Sequence, residues 1–506
     1  MAQLLWTPKN HRIGDITIIR VGELYHLFTE QSPMDWDGSM GDAFAGIRSV
    51  GHAVSKDMFE WEELPPAIQC GPAGSFDAYS IYHMDVFVHD GTWYMYYTGL
   101  NQGGPGEQQS VGLATSRDGI HWEKHSANPV LRADPRWYEQ RIPREAAYQE
   151  KDFDRLWFRD PMVVRDPKTG TFGMIIIARD QSKHPDLRGC LAWATSDDLI
   201  RWQAHAPIFS PGRFHTIESP SMFERNGLHY IVFMSGSYWG TPLLPTDPYQ
   251  DAGNYYAISR NGWTGPFEAP ADELLTAAPR QMRMGATRTV DGPDGERYYY
   301  GWLLLAPVDD APPRRAHSMV VPPPRRVRFL DDGQMQVVWH EGLERYTRRV
   351  DLPPAPSLTS PAFTKVEDTI VAKDFLGTSV ALYSTRSEDL IFSARVRFVR
   401  GERAGLVLRT DSAGQTGWRV VVDRRQQRVE FGLLDRDAFI DARAWRPADD
   451  FTIKVIAYQE SVEVYVDDRL LIHQARHRET AGQIGLLVDR AEAIFSQVHL
   501  QVFKGK

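Results

Sequence analysis

The sequence predicts an all-β protein, a five-bladed β-propeller followed by a C-terminal β-sandwich. Three observations carry this. An apolar-aromatic strand entered from a glycine turn recurs five times, and a Ser-x-Asp or Ser-x-Asn turn closed by an aromatic recurs four times. The last part of the chain alternates short β-prone runs with turns and shows no helical periodicity.

The returning strands are GELYHLF (22–28), GTWYMYYTG (91–99), GTFGMIIIA (170–178), GLHYIVFMSG (227–236) and GERYYYGWLL (295–304). Each follows a shorter apolar run and a polar turn, the signature of a β-hairpin. The second phrase appears as GHAVSKDMFEW (51–61), GLATSRDGIHW (112–122), CLAWATSDDLIRW (190–202) and, degenerate, YYAISRNGWTGPF (255–267). Its Ser and Asp or Asn side chains bond back to the backbone and make the turn, and the aromatic that follows is expected to pack on the neighbouring sheet. Together the phrases give four strands per unit. VPPPRRVRFLDDGQMQVV (321–338) reads as a strand pair closing the propeller, and the Pro- and Ser-rich LPPAPSLTSPAF (352–363) as a linker. The expected division is 1–350 propeller, 351–363 linker and 364–506 sandwich.

Net charge is −9 and the pI about 6.0, with no long basic run, which argues against a nucleic-acid partner. Cys70 and Cys190 lack metal-ligand spacing and do not suggest a disulfide framework. The N-terminal stretch MAQLLWTPKN lacks the pattern of a signal peptide, and no apolar run approaches the roughly 18 residues of a membrane span. A cytoplasmic protein without a membrane partner is expected. Histidines 26, 52, 83 and 215 are scattered over different units, so neither a metal nor another cofactor is expected.

In a propeller the first strand of each blade lines the central channel. The residues at its mouth are Asp15, Asp85, Asp160 and Glu218, with Arg283 or its neighbours in the fifth unit. Any one carboxylate could cap a turn, but carboxylates converging on one funnel repel and raise one another's pKa, which packing does not require. Two carboxylates across a pocket are the minimum machinery of glycoside hydrolysis. Asp15, Asp160 and Glu218 fit such a trio. Glu218 is flanked by Ile217, Met222 and Phe223, surroundings that favour an acid, and Asp15 stands where a nucleophile or base would be. Trp36, Tyr238 and Trp239, in loops after returning strands, are candidates for stacking on a sugar ring.

The chain resembles glycoside hydrolase family 32, the β-fructofuranosidase group of invertases and inulinases. The matching phrases are YHLF (25–28), GHAVSKDMFEW, QQSVGLATSRDGIHWEKHSANPVL (108–131), FRDP (158–161), IESPSMFERNG (217–227) and SMVVPPPRRVRFLDDGQMQV (318–337). The resemblance implies a retaining mechanism, with Asp15 as nucleophile, Glu218 as acid/base, and Asp160 with Arg159 holding sugar hydroxyls. The chain also departs from the family. Gly14 precedes the acid in RIGDITI, where the family has Trp-Met-Asn-Asp-Pro-Asn-Gly. Val50 stands where an aromatic is common, Ser219 replaces a cysteine, and FDAYSIYHMD brings in His83 and Asp85 where the family has Phe-Ser-Gly-Ser. The expected substrate is a small saccharide with a terminal furanosyl unit. An inverting furanosidase, a furanosyl transferase and a non-catalytic sugar-binding propeller are the alternatives.

Overall fold

The computed structural model describes residues 4–34, 46–102, 107–140, 157–241, 247–279, 283–305, 319–353, 355–356, 358–436, 438–459, 461–475 and 481–504. Regular structure there is strand, apart from four short 3-10 turns, and no helix is long and apolar enough to cross a membrane.

Four antiparallel sheets of four strands succeed one another. The first contains β1 (His11–Val21), β2 (Leu24–Pro33), β3 (Ser49–Ser55) and β4 (Glu62–Gln69). The second contains β5 (Ser80–His89), β6 (Thr92–Leu100), β7 (Gln109–Ser116) and β8 (Trp122–Lys124). The third contains β9 (Arg159–Arg165), β10 (Phe172–Arg179), β11 (Gly189–Ser196) and β12 (Gln203–Phe209). The fourth contains β13 (Glu218–Arg225), β14 (Leu228–Gly236), β15 (Ala252–Ser259) and β16 (Leu274–Ala278). A fifth antiparallel run follows: β17 (Met284–Asp291), β18 (Arg297–Leu304), β19 (Met319–Val320), β20 (Arg325–Phe329) and β21 (Met335–Val338). The inner strands touch in a closed ring, β1 to β5 to β9 to β13 to β17 and back to β1, so the sheets form a β-propeller.

The repeated turn phrase explains how neighbouring sheets lock together. Ser55, Ser116 and Ser196 each accept, through Oγ at 2.9 Å, the N–H three residues on. Asp57, Asp118 and Asp198 each accept, through Oδ1, the N–H two residues on, at 2.9, 2.8 and 3.0 Å. The aromatic after the turn then reaches back one sheet, as expected. Trp122 lies edge-on to Phe28 at 5.8 Å, and Trp202 edge-on to Tyr96 at 5.6 Å.

The fifth run is not a separate sheet. Val338 of β21 pairs with Arg469, and strand Thr347–Val350 with Leu500–Phe503, so it continues into the C-terminal strands as one sheet. The cause is an unpaired edge: β21 offers free backbone groups that the C-terminal part covers. Three strands of that part, Thr369–Ser387, Leu390–Thr410 and Gly482–Phe503, are 19, 21 and 22 residues long, and together with shorter strands such as Trp418–Asp423 and Asp450–Tyr458 they build its core, with Phe392, Leu406, Trp418, Ile453 and Leu486 fully buried. A second cluster is shared between the two parts, joining Phe223, Tyr230 and Tyr299 to Ile456, Tyr465 and Leu470. Buried polar bonds cross the same boundary, from Arg443 to Asp247 at 2.9 Å and from Gln250 to Asp441 at 2.9 Å.

Candidate active site

All five inner strands carry a bulge near the same end, where two strand residues face one or three face two on the returning strand. The interrupted stretches are Ile13 to Ile16, Tyr82 to Met84, Arg159 to Met162, Glu218 to Ser221 and Gly285 to Arg288. A bulge re-aims side chains and frees backbone groups from the ladder. At Asp160, Ser219 and Ala286 it forces φ to +57°, +48° and +45°, strained values for residues with a side chain. At Asp160 and Ser219 the surroundings hold the strain in place. Asp160 donates its N–H to Thr98 Oγ1 at 3.0 Å, and Ser219 donates its own to Asp160 Oδ2 at 2.8 Å. The expected carboxylates therefore share the bulge and not one position: Glu218 precedes it, Asp160 lies in it and Asp15 ends it.

Asp15 is held by three side-chain donors. The Trp302 indole gives its N–H to Oδ1 at 2.7 Å, His83 Nδ1 lies 3.1 Å from Oδ2, and Ser219 Oγ donates to Oδ2 at 3.3 Å. Burial alone would raise its pKa, but these donors outweigh burial and hold it below the usual aspartate value. Oδ1 accepts only one of these bonds, so a lone pair remains for chemistry. The Asp15 side chain is 22% exposed, and it is the open member of the group.

Glu218 has the opposite environment. Its side chain is 8% exposed, and burial pushes its pKa up to about 8, against the pull of Arg159 and with help from the charges of Asp160 and Asp15. Arg159 Nη2 bonds Glu218 Oε1, while the guanidinium stacks 4.6 Å from the Trp157 ring centre and its Nη1 reaches Gln109 at 3.4 Å. Oε2 of Glu218 is left to carry a proton. Asp160 is buried, with Arg159 Nε 3.9 Å from its Oδ1.

The other expected residues divide. His83 joins the site through Asp15. Asp85 does not open to a ligand: Oδ2 accepts the N–H of Val163 at 3.0 Å and Oδ1 that of Arg288 Nη1 at 2.9 Å, an internal pair tying β5 to β9 and β17. Arg283 is buried just before the fifth inner strand, where its carbonyl accepts the N–H of Leu304 at 2.9 Å. Trp239 is partly buried against the apolar cluster that contains Met234, Ala286, Trp302 and Leu304. Trp36 and the Tyr238 side chain lie outside the described residues. His26 and His52 bond each other at 3.0 Å, with His52 stacked on Phe28. Asp15, His83 and Asp160 each offer a ligand atom within 4.8 Å of the others, a set able to hold a cation, although Asp15 and His83 already bond each other.

Sequence reading passed over Trp302, Thr98 and Glu30, which sit on returning strands outside the acidic pattern. Glycines were the available signals, Gly14 for Glu30 and, for Trp302, Gly285. It faces Trp302 across the ladder, and a Cβ there would lie 2.1 Å from the indole.

One carboxyl with a lowered pKa and another with a raised one, at the same end of the inner strands, are the opposed environments that glycoside hydrolysis by two carboxyls calls for. The chain belongs to glycosyl hydrolase family 32: the profile of the Glycosyl hydrolases family 32 N-terminal domain matches residues 7–340. It is 29% identical over 432 residues to a sucrose-6-phosphate hydrolase of Zymomonas mobilis, covering 82% of this chain and 72% of that protein. The sucrose-6-phosphate hydrolase of Escherichia coli is 28% identical over 228 residues, 43% of this chain and only 39% of that protein. The sucrose:sucrose 1-fructosyltransferase of Festuca arundinacea is 26% identical over 281 residues, 53% of this chain and 38% of its own length. Among solved structures, the Bombyx mori GH32 beta-fructofuranosidase BmSUC1 superposes with a TM-score of 0.69 at 16% identity, covering 100% of this chain and 94% of that one. The sucrose-6-phosphate hydrolase from Lactobacillus gasseri gives 0.70 at 16% identity, over 98% and 92%. Both share the fold.

Proposed function

We propose that the protein cleaves terminal furanosyl residues from small saccharides, in the manner of a β-fructofuranosidase, with retention of configuration. The observation that carries this is the opposed environment of two carboxyls in one funnel, Asp15 held ionised by three donors and Glu218 held protonated near neutral pH. Neutral Glu218 gives its proton to the glycosidic oxygen as Asp15 Oδ1 attacks the anomeric carbon. Arg159, bonded to Glu218, stabilises the carboxylate left behind, which then takes a proton from the water that releases the sugar. Asp160, pinned by the backbone of Ser219, faces the hydroxyls of the bound sugar. The relatives' names, sucrose-6-phosphate hydrolase, beta-fructofuranosidase and fructosyltransferase, share fructosyl chemistry and support a fructoside.

A different furanoside is favoured by one feature. The space beside Gly14, where the family carries a sugar-gripping asparagine, is filled by the carboxyl of Glu30. A panel of fructo-oligosaccharides and aryl furanosides, with the product anomer read by NMR, tests both readings. Glu218→Ala is expected to cut kcat by about 10²- to 10⁴-fold, and turnover of every panel member unchanged by that substitution contradicts the assignment.

We read β17–β21 as the fifth blade, because its inner strand completes the ring and carries the same bulge. We place the propeller in 1–350, the connector in 351–363 and a sandwich in 364–506, the long C-terminal strands enclosing that core between them.

A further inference from the structure

We propose that Glu30 is a positioning residue of the catalytic centre and that Gly14 is there to admit it, an inference that rests on Asp15 being the reacting carboxylate. Glu30 lies on β2 and is 6% exposed. Its Oε1 accepts the backbone N–H of His83 at 2.7 Å, and its Oε2 accepts the backbone N–H of Asp15 at 3.1 Å. Both donors belong to bulges, of β5 and β1, where the sheet ladder no longer pairs them. Buried backbone N–H groups need partners, and here a single side chain serves two of them from adjacent blades. The residues it holds, Asp15 and His83, also bond each other at 3.1 Å. Glu30 thus fixes the Asp15 backbone and the donor that sets the direction of Oδ2.

The chemistry calls for an acid and not its isosteric amide. Both terminal atoms of Glu30 accept, whereas glutamine has one accepting oxygen and would set an NH₂ against one N–H whichever way it turned. Burial and the charge of Asp15 push the Glu30 pKa up, while the two backbone N–H groups it accepts, those of His83 and Asp15, favour the acceptor-only carboxylate and pull the other way.

Gly14 faces the Glu30 carboxyl. A Cβ on it would lie 2.2 Å from Glu30 Oε2 and 3.2 Å from Cδ, while its backbone is not in the left-handed region. The glycine is therefore explained by the volume of Glu30 and not by backbone conformation. A methyl at position 14 would push the carboxyl off its two N–H groups without removing it.

The test measures steady-state kinetics and backbone amide exchange in Glu30→Gln, Gly14→Ala and the double variant. Each single variant is expected to lower kcat by about 10²-fold, the cost of a misplaced reacting group. KM should stay within about threefold of wild type, because ground-state contacts are kept. The double variant should lose no more than either single one, because both break the same contact. Exchange of the segments around Asp15 and His83 should quicken in all three, a readout that needs no turnover. Wild-type kcat in Glu30→Gln, a rise in KM alone, or additive losses in the double variant overturn the proposal. Unchanged exchange at both segments does so whatever the kinetics. Absence of furanoside turnover by the wild type sinks the activity assigned above instead, and leaves the exchange result to decide the role of Glu30. Should Glu30→Gln fail to fold, Gly14→Ala poses the same question with Glu30 retained.

Discussion

Ser219 donates to Asp15 through its hydroxyl and to Asp160 through its backbone, so a change there separates the tuning of a carboxylate from its placement. Ser219→Ala removes one of three donors that favour ionised Asp15, and the pKa of Asp15 should rise. The acid limb of kcat/KM should then move to higher pH by up to about one unit, readable from the pH–rate profile. The role proposed for Glu218 predicts the other limb. As the acid it must be protonated, so activity should fall as pH rises through about 8, and Glu218→Gln should lack that limb on a rate already cut about 10²-fold or more. The same group links to stability with a definite sign. Its folded pKa, about 8, lies above the ordinary 4.5, so the folded state binds the proton more tightly and the group's contribution is complete below 4.5 and lost as pH climbs through 8. Glu218→Gln should therefore raise Tm relative to wild type at pH 8 and leave it nearly unchanged at pH 4; an equal shift at both pH values would contradict the assignment. Asp15, Asp160 and Glu218 were legible in the sequence because they stand at matching ends of repeated strands. Glu30 and Trp302 were not, because each acquires its role from a group on another strand, a bulge N–H or a carboxylate oxygen that no periodicity announces.

The bulge is the element that turns a repeated strand into a site, and it leaves a weak sequence trace. Pro161 and Pro220 follow Asp160 and Ser219 and, having no N–H, suit positions withdrawn from the ladder. The third strained position, Ala286, carries no such mark. Behind it, Gly285 gives the Trp302 ring its seat across the ladder. Gly285→Ala should displace the indole from Asp15 and lower kcat by about tenfold or more; its signature is a shifted acid limb as well as a lower rate, whereas simple loss of folded protein would scale the whole profile. Asp85 occupies an inner strand as Asp15, Asp160 and Glu218 do, but its two oxygens face Val163 and Arg288 and so tie three inner strands. Asp85→Ala leaves the 1%-exposed Arg288 without its ion pair and should cost about 3–5 kcal/mol in chemical denaturation. Much of that should return in Asp85→Ala with Arg288→Met, where the unpaired charge is gone as well.

For the whole molecule, the repeat gave the propeller and its order of strands, because the five returning phrases each build one hairpin. The junction with the C-terminal part was less legible. A Pro- and Ser-rich stretch reads as a linker, and nothing in it announces that β21 pairs with Arg469 or that an apolar cluster spans both parts, contacts between residues more than a hundred positions apart. The two parts should therefore unfold in a single calorimetric transition; two resolved transitions would contradict a shared core. The mechanism proposed here makes Asp15 the nucleophile and Glu218 the acid/base of a retaining furanosidase. Its most direct test is an NMR time course of furanoside cleavage in the presence of methanol, run on wild type beside Asp15→Ala. Wild type should give a methyl furanoside of the substrate's own anomeric configuration, and Asp15→Ala no turnover. A product of inverted configuration, or unchanged turnover without Asp15, would contradict it.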